Sequence, residues 1–257
     1  MPSPLAHPAA SIPFTKVGLV FSALVIGSIA PDCGYFFNLP GAYFMYTPLG
    51  IVTFDVPMGL LLLWLFHVIA KWPLLSLLPR DWQRRLYKHA QGFTWGPIKH
   101  FGVILLSLLV GSITHVILDS FTHEYGWTVE RFSFLSTSIG GIPLYDILQN
   151  LGSLVGIGLL VYWFIRWLPK QPQGDQLPPR FSFKITALFA GLALLSIALV
   201  DGGIFYARYL ARTADAHLRM LSFRGLVFST GFLVLFFAGI YCLVWMISFY
   251  KTLRGAN

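Results

Sequence analysis

The chain has 257 residues, of which 56% are hydrophobic, 16% aromatic and only 11% charged, at a mean hydropathy of +0.70, where a soluble domain carries about 25% charged side chains. That balance excludes a soluble enzyme, a disordered tail and a secreted disulfide scaffold, and the two cysteines, Cys33 and Cys242, lie far apart in apolar surroundings as expected free thiols. The net charge of +8 would point to nucleic acid in a soluble protein, but membrane proteins gather Lys and Arg in cytoplasmic loops for topological reasons, so nucleic acid is not an expected partner.

A membrane helix needs about 20 mostly apolar residues. The first apolar run, Val17 to Ala30, is short and is followed by Pro31 and Asp32; it reads as a re-entrant or spanning helix. No basic cluster precedes Lys16, so the start reads as mature protein. The next runs are Leu49 to Ala70 and Phe101 to Phe121, separated by the segment Arg80 to Lys88, RDWQRRLYK, which predicts an amphipathic helix on an anionic leaflet. Ile147 to Trp167 follows, then a Pro-rich linker over Pro169 to Pro179, then Ile185 to Tyr206 and Leu226 to Tyr250. None alternates at period two, which excludes a barrel. The predicted fold is all-α: a polytopic membrane helix bundle of five clear spans plus the short N-terminal helix. It is read as a single integral membrane domain over 1–257, with a site-bearing part at 1–168 and a C-terminal two-helix part at 180–257.

The basic residues Lys71, Arg80, Arg84, Arg85, Lys88 and Lys99 share one connection, and Arg166, Lys170, Arg180 and Lys184 share another. The connection from Pro31 to Pro48 has none, and that from Thr122 to Asp146 only Arg131. Positive-inside bias then places both termini in the cytoplasm. The segment Ala207 to Gly225, with Arg208, Arg212, Arg219 and Arg224, opposes this pattern. On this map Asp32, Asp55, Asp119, Glu124, Glu130, Asp146, Asp201 and Asp215 gather on the outer side, against Asp81 and Asp175 on the inner side.

The stretch Gly111 to Trp127, GSITHVILDSFTHEYGW, sets His115, Asp119 and His123 four residues apart. Such neighbours share a helix face and rise about 6 Å per step. Asp119 is the natural bridge in a site of one or two metal ions, with a histidine on either side and further ligands from other helices. Asp32 and Asp55 lie at the same predicted level, since ionisable groups within membrane helices face the bundle interior and mark a site. Asp146, at the mouth of the fourth long run, is also a helix-capping candidate.

LAHPAASIPF, SALVIGSIAPD, TFDVPMGLLLLWLFH, GSITHVILDSFTH and IPLYDILQNLGS together resemble a bacterial family known as domain of unknown function 4184, over roughly the first two thirds of the chain. More distantly, an early His, a Pro-Asp after the first helix and GxxxHxxxD resemble inner-membrane metal-dependent hydrolases typified by YdjM, and through them the zinc-dependent phospholipase C and P1-type nuclease pattern. That resemblance implies His7, Asp32, His115 and Asp119 as metal ligands, with His123 matching a later histidine of the phospholipase pattern. Those relatives carry HRGxTHS where this sequence reads AYFMYTPLG, which puts Tyr46 and Thr47 at a ligand position, and Gly34 stands where they often have a second Asp. His7 reaches the site only if the N-terminal segment doubles back, and an extended return from Lys16 covers about 30 Å.

The expected function is a metal-dependent hydrolase acting on a phosphoester or lipid-like substrate at the outer face of the bacterial inner membrane. Zinc is the first expectation and manganese the second, and Asp55 is the candidate base. Membrane lipid and a small-molecule or lipid substrate are the expected partners. An ion or proton carrier using the same His and Asp residues, or a non-catalytic scaffold with a degenerate site, are the alternatives.

Overall fold

A computed structural model describes residues 5–36, 39, 41–210 and 233–249, and of residues 197 and 199–210 the backbone alone. Helix dominates. The elements used below are α1 (Pro8–Ser11), α2 (Phe21–Gly27), α3 (Pro48–Leu77), α4 (Arg80–Gln91), α5 (Ile98–Thr122), α6 (Leu144–Trp167), α7 (Phe183–Leu210) and α8 (Leu233–Phe249). A two-stranded antiparallel ribbon, β1 (Ser138–Ile139) and β2 (Ile142–Pro143), pairs Ser138 with Pro143 and Ile139 with Ile142 just before α6. Two compact units form: residues 1–66 with 91–172, and residues 67–90 with 173–257.

Three helices are long and apolar enough to cross a membrane, α3, α5 and α6, the last continued to Lys170. Of the five predicted spans, three are matched by long apolar helices among the described residues. Two shorter apolar stretches, Phe183–Ser196 and Leu233–Phe249, fall between 10 and 17 residues, and the backbone of α7 continues as helix to Leu210. Leu226 to Phe232 and Tyr250 of the predicted last run, and most of the basic segment Ala207 to Gly225, lie outside the described residues.

The N-terminal run is not one helix. Α2 ends at Gly27, a 3₁₀ turn covers Ala30–Asp32, and one further turn of helix covers Cys33–Phe36. Ahead of α2 the chain doubles back: α1 leads into a 3₁₀ stretch, Ile12–Val17, and Gly18 at φ 88° reverses direction. The return is helical rather than extended. At 1.5 Å per residue in α-helix and about 2.0 Å in 3₁₀, each arm advances roughly 17 Å, so His7 and Asp32 come back to one level.

Within the first unit α2 crosses α5 at two glycines. A Cβ on Gly27 would lie within 3.0 Å of the Leu108 backbone, and one on Gly111 within 3.0 Å of Leu24 and Ser28. This backbone contact is reinforced by Ser112 Oγ donating to the Gly27 carbonyl at 3.0 Å and by Val20 N–H donating to Ser107 Oγ at 2.9 Å. Ala23, Leu63, Ile104 and Leu108 bury completely beside the crossing. Small residues and interhelical hydrogen bonds supply the packing that apolar side chains alone cannot drive in lipid.

In the second unit α4 is amphipathic, as expected. Its Gln83 turns inward and donates to the carbonyls of Ser76 and Leu78 at 2.9 and 2.7 Å, capping the end of α3. Tyr241, Cys242 and Trp245 of α8 form a buried cluster with Ile69, Phe181 and Phe189.

Candidate metal centre

His7 stands immediately before Pro8 of α1, and α1 packs on α2, α5 and α6. Asp32 closes the 3₁₀ turn after α2, and His115 and Asp119 follow one another on the buried face of α5. The glycine crossing fixes α2 against α5 just below, so the end of α2 can touch His115. The Ser28 carbonyl lies 2.8 Å from His115 Nδ1. That nitrogen is then the donor, which leaves Nε2 facing the site as the atom that would ligate a metal, the arrangement typical of a metal-ligating histidine held by a backbone carbonyl.

Around that nitrogen stand oxygens. Asp119 Oδ2 is 3.1 Å from His115 Nε2 and Asp32 Oδ1 is 3.6 Å away. Tyr46 Oη is 3.4 Å from the same nitrogen and donates its proton to Asp32 Oδ1 at 3.1 Å. Asp119 Oδ1 takes His7 Nε2 at 3.0 Å, so the carboxylate spans both histidines, whose rings stack with centroids 3.9 Å apart. His7, Asp32, His115 and Asp119 are all buried.

Two carboxylates this close and this deep are costly without positive charge between them. His7 Nδ1, Asp32 Oδ2 and Asp119 Oδ2 have no hydrogen-bond partner among the described residues. His7, Asp32 and His115 each offer one ligand atom, all within 4.8 Å of one another. Two imidazoles with two carboxylates form a donor set that fits zinc or manganese.

A family profile described as a domain of unknown function, DUF4184, matches residues 1–245. The chain belongs to this family. No curated protein and no solved structure matches it.

In this DUF4184 chain the remaining predicted positions divide. Tyr46 enters the site, and burial together with the Asp32 carboxylate pushes its phenol above the usual range, so it stays a proton donor. Thr47, beside it, does not enter; its hydroxyl accepts from Gly50 N–H at 3.0 Å and caps α3. At Gly34 a Cβ would meet the thioether end of Met45, so a side chain there requires Met45 to move. His123 ends α5 at the rim: its side chain is 29% exposed, and Nδ1 is 3.6 Å from Asp119 Oδ1.

Asp55 is completely buried, and neither oxygen has a hydrogen bond among the described residues. It closes a π-helical turn, Ile51–Asp55, that packs against α5 and the Ala30–Asp32 turn; such turns recur at functional sites. Asp146 is the third residue of α6, with Pro143 at the cap position, so it meets the helix dipole from the first turn instead of capping. Among the described residues no hydrogen bond or ion pair joins it to the cluster. The Ser28 carbonyl and the Gly27–Gly111 crossing were not predicted: a backbone acceptor leaves no mark in side-chain identity, although GSxxH on α5 does show two small residues one turn before the histidine.

Proposed function

We propose that this DUF4184 protein is a multi-pass protein of the bacterial inner membrane that hydrolyses a phosphoester or lipid-like substrate with one or two divalent ions, zinc or manganese. The observation that carries the reading is the convergence of two stacked histidines on two buried carboxylates, with His115 Nε2 turned toward them by the Ser28 carbonyl. The distant resemblance to YdjM-type hydrolases supports the same ligand set.

A divalent ion bound here would polarise a phosphoryl oxygen and lower the pKa of a bound water toward about 7. The chain's own residues do the rest. His7, Asp32, His115 and Asp119 hold the site, and Ser28 fixes the imidazole that faces it. Tyr46 donates to Asp32 and so orients that carboxylate. Asp55, with both oxygens free of hydrogen bonds among the described residues, takes a proton from the attacking water. His123, at the rim, meets the substrate or completes the shell of a second ion.

The test is metal analysis of protein purified without chelators, beside hydrolysis of generic phosphodiester and phospholipid substrates. About one to two equivalents of a divalent transition metal, with turnover that tracks metal content across variants, is the expected result. Metal-free wild-type protein, also after zinc and manganese loading, would overturn the hydrolase reading.

A further inference from the structure

The outer side of the α1 hairpin leaves an apolar furrow against α6. It has two continuous parts that share Ala9 and Leu159. One, about 290 Å³, begins beside His7 and runs past Gly152 and Gly156. The other, about 440 Å³, continues past Ile12 and Trp163 to a mouth flanked by Arg166 and Lys170. No acidic residue lines either part. Trp163 and Trp167 stack at that mouth, with centroids 5.4 Å apart. Among the described residues neither Arg166 nor Lys170 is paired with a carboxylate, and both are exposed.

A furrow with apolar walls, one cationic mouth and a tryptophan pair matches the parts of a phospholipid. Aromatic rings of this kind sit at headgroup level in membrane proteins, and basic side chains there attract anionic headgroups. The walls favour a slender occupant. Ala9, Gly152 and Gly156 are small, and a Cβ on Gly152 would meet nothing within 4 Å, so the furrow is open there. Beside it, Gly156 packs so closely on Ala6 that a Cβ would fall within 3.0 Å of it, which seats the segment carrying His7 on α6.

We propose that the furrow between residues 9–13 and α6 binds one anionic phospholipid, its phosphate between Arg166 and Lys170 and one acyl chain lying along Ala9 and Leu159 toward His7. The lipid covers the outer side of the hairpin whose inner side supplies His7 to the metal centre. Lipid occupancy and the position of His7 are thereby linked, although binding itself does not depend on the hydrolase reading.

The test uses the full chain in detergent, with retained lipid measured by native mass spectrometry after addition of equal phosphatidylglycerol and phosphatidylcholine. Metal content is measured on the same samples. The wild type is expected to retain phosphatidylglycerol several-fold over phosphatidylcholine, and the double variant Arg166→Gln, Lys170→Gln to bring that ratio to about one. Gly152→Leu, which fills the furrow where a side chain has room, is expected to reduce retention of both lipids while the melting temperature stays near wild type. Equal retention of the two lipids by the wild type, or an unchanged ratio in the double variant, would overturn the proposal. Loss of retention in Asp119→Asn but not in the double variant would place the headgroup at the metal centre and overturn it too. Lipid retained by a metal-free wild type would leave this site standing and remove the hydrolase reading alone.

Discussion

Asp119→Asn keeps the size and shape of the side chain while removing the charge that both histidines meet. The carboxylate lies 3.0 Å from His7 Nε2, 3.1 Å from His115 Nε2 and 3.6 Å from His123 Nδ1, and it is buried. Loss of an outer-shell partner costs about 10–100-fold in metal affinity, so loss of a carboxylate that spans two ligating imidazoles is expected to cost at least about 100-fold. At a free metal concentration of about 100 times the wild-type Kd, binding stabilises the fold by about 2.7 kcal/mol, and a 100-fold weaker site leaves about 0.4 kcal/mol. The difference of about 2.3 kcal/mol corresponds to a melting shift of about 5–9 °C for a chain of this size. The assay is thermal unfolding in detergent with and without metal, beside elemental analysis. Wild-type protein should melt higher by about 5–11 °C when loaded, and Asp119→Asn should lose at least about half of its metal and most of the shift. A variant that keeps wild-type metal content and the full shift would refute the bridging position given to Asp119.

His123→Ala is expected to lose metal only in part, because the ring stands at the rim, and elemental analysis beside Asp119→Asn checks the order. Tyr46→Phe removes the hydrogen bond to Asp32 at 3.1 Å; the metal should stay while turnover falls, which metal content and rate measured on one sample will separate. Gly111→Val drives a side chain into the Leu24 backbone and should cost about 1–3 kcal/mol or more of stability, seen as a lower melting temperature together with metal loss. Gln83→Ala leaves the carbonyls of Ser76 and Leu78 without their donor and should cost about 1–3 kcal/mol at unchanged metal content. For the orientation, a cysteine at Lys88, exposed on α4, should resist an impermeant thiol reagent in intact cells, and its labelling would reverse the predicted topology.

Much of the centre was legible because a membrane chain makes ionisable residues conspicuous. His115, Asp119 and His123 announced themselves by four-residue spacing, and Asp32 by following Pro31 at the end of an apolar run. His7 was legible only through family resemblance. Its proximity depends on the turn at Gly18 and on two arms of matched rise, and helix counting that treats Val17 to Ala30 as one rod puts it on the wrong side. Tyr46 could be flagged as standing in a ligand position, but the choice between Tyr46 and Thr47 was made by geometry: the residue just before Pro48 caps α3, and its neighbour turns inward. The apolar runs Leu49 to Ala70, Phe101 to Phe121 and Ile147 to Trp167 were legible as spans because each coincides with one long helix, and Ile185 to Tyr206 lies within the helix Phe183–Leu210.

X-ray absorption at the zinc edge of the loaded wild-type protein tests the ligand set most directly. Two imidazole nitrogens at about 2.0–2.1 Å with carboxylate oxygens at about 2.0–2.2 Å are expected, and replacing His7 or His115 by Ala should each remove one imidazole from the shell. A shell of sulfur at about 2.3 Å, or a shell unchanged in both variants, would show that the metal sits elsewhere and that the cluster of His7, Asp32, His115 and Asp119 does not hold it.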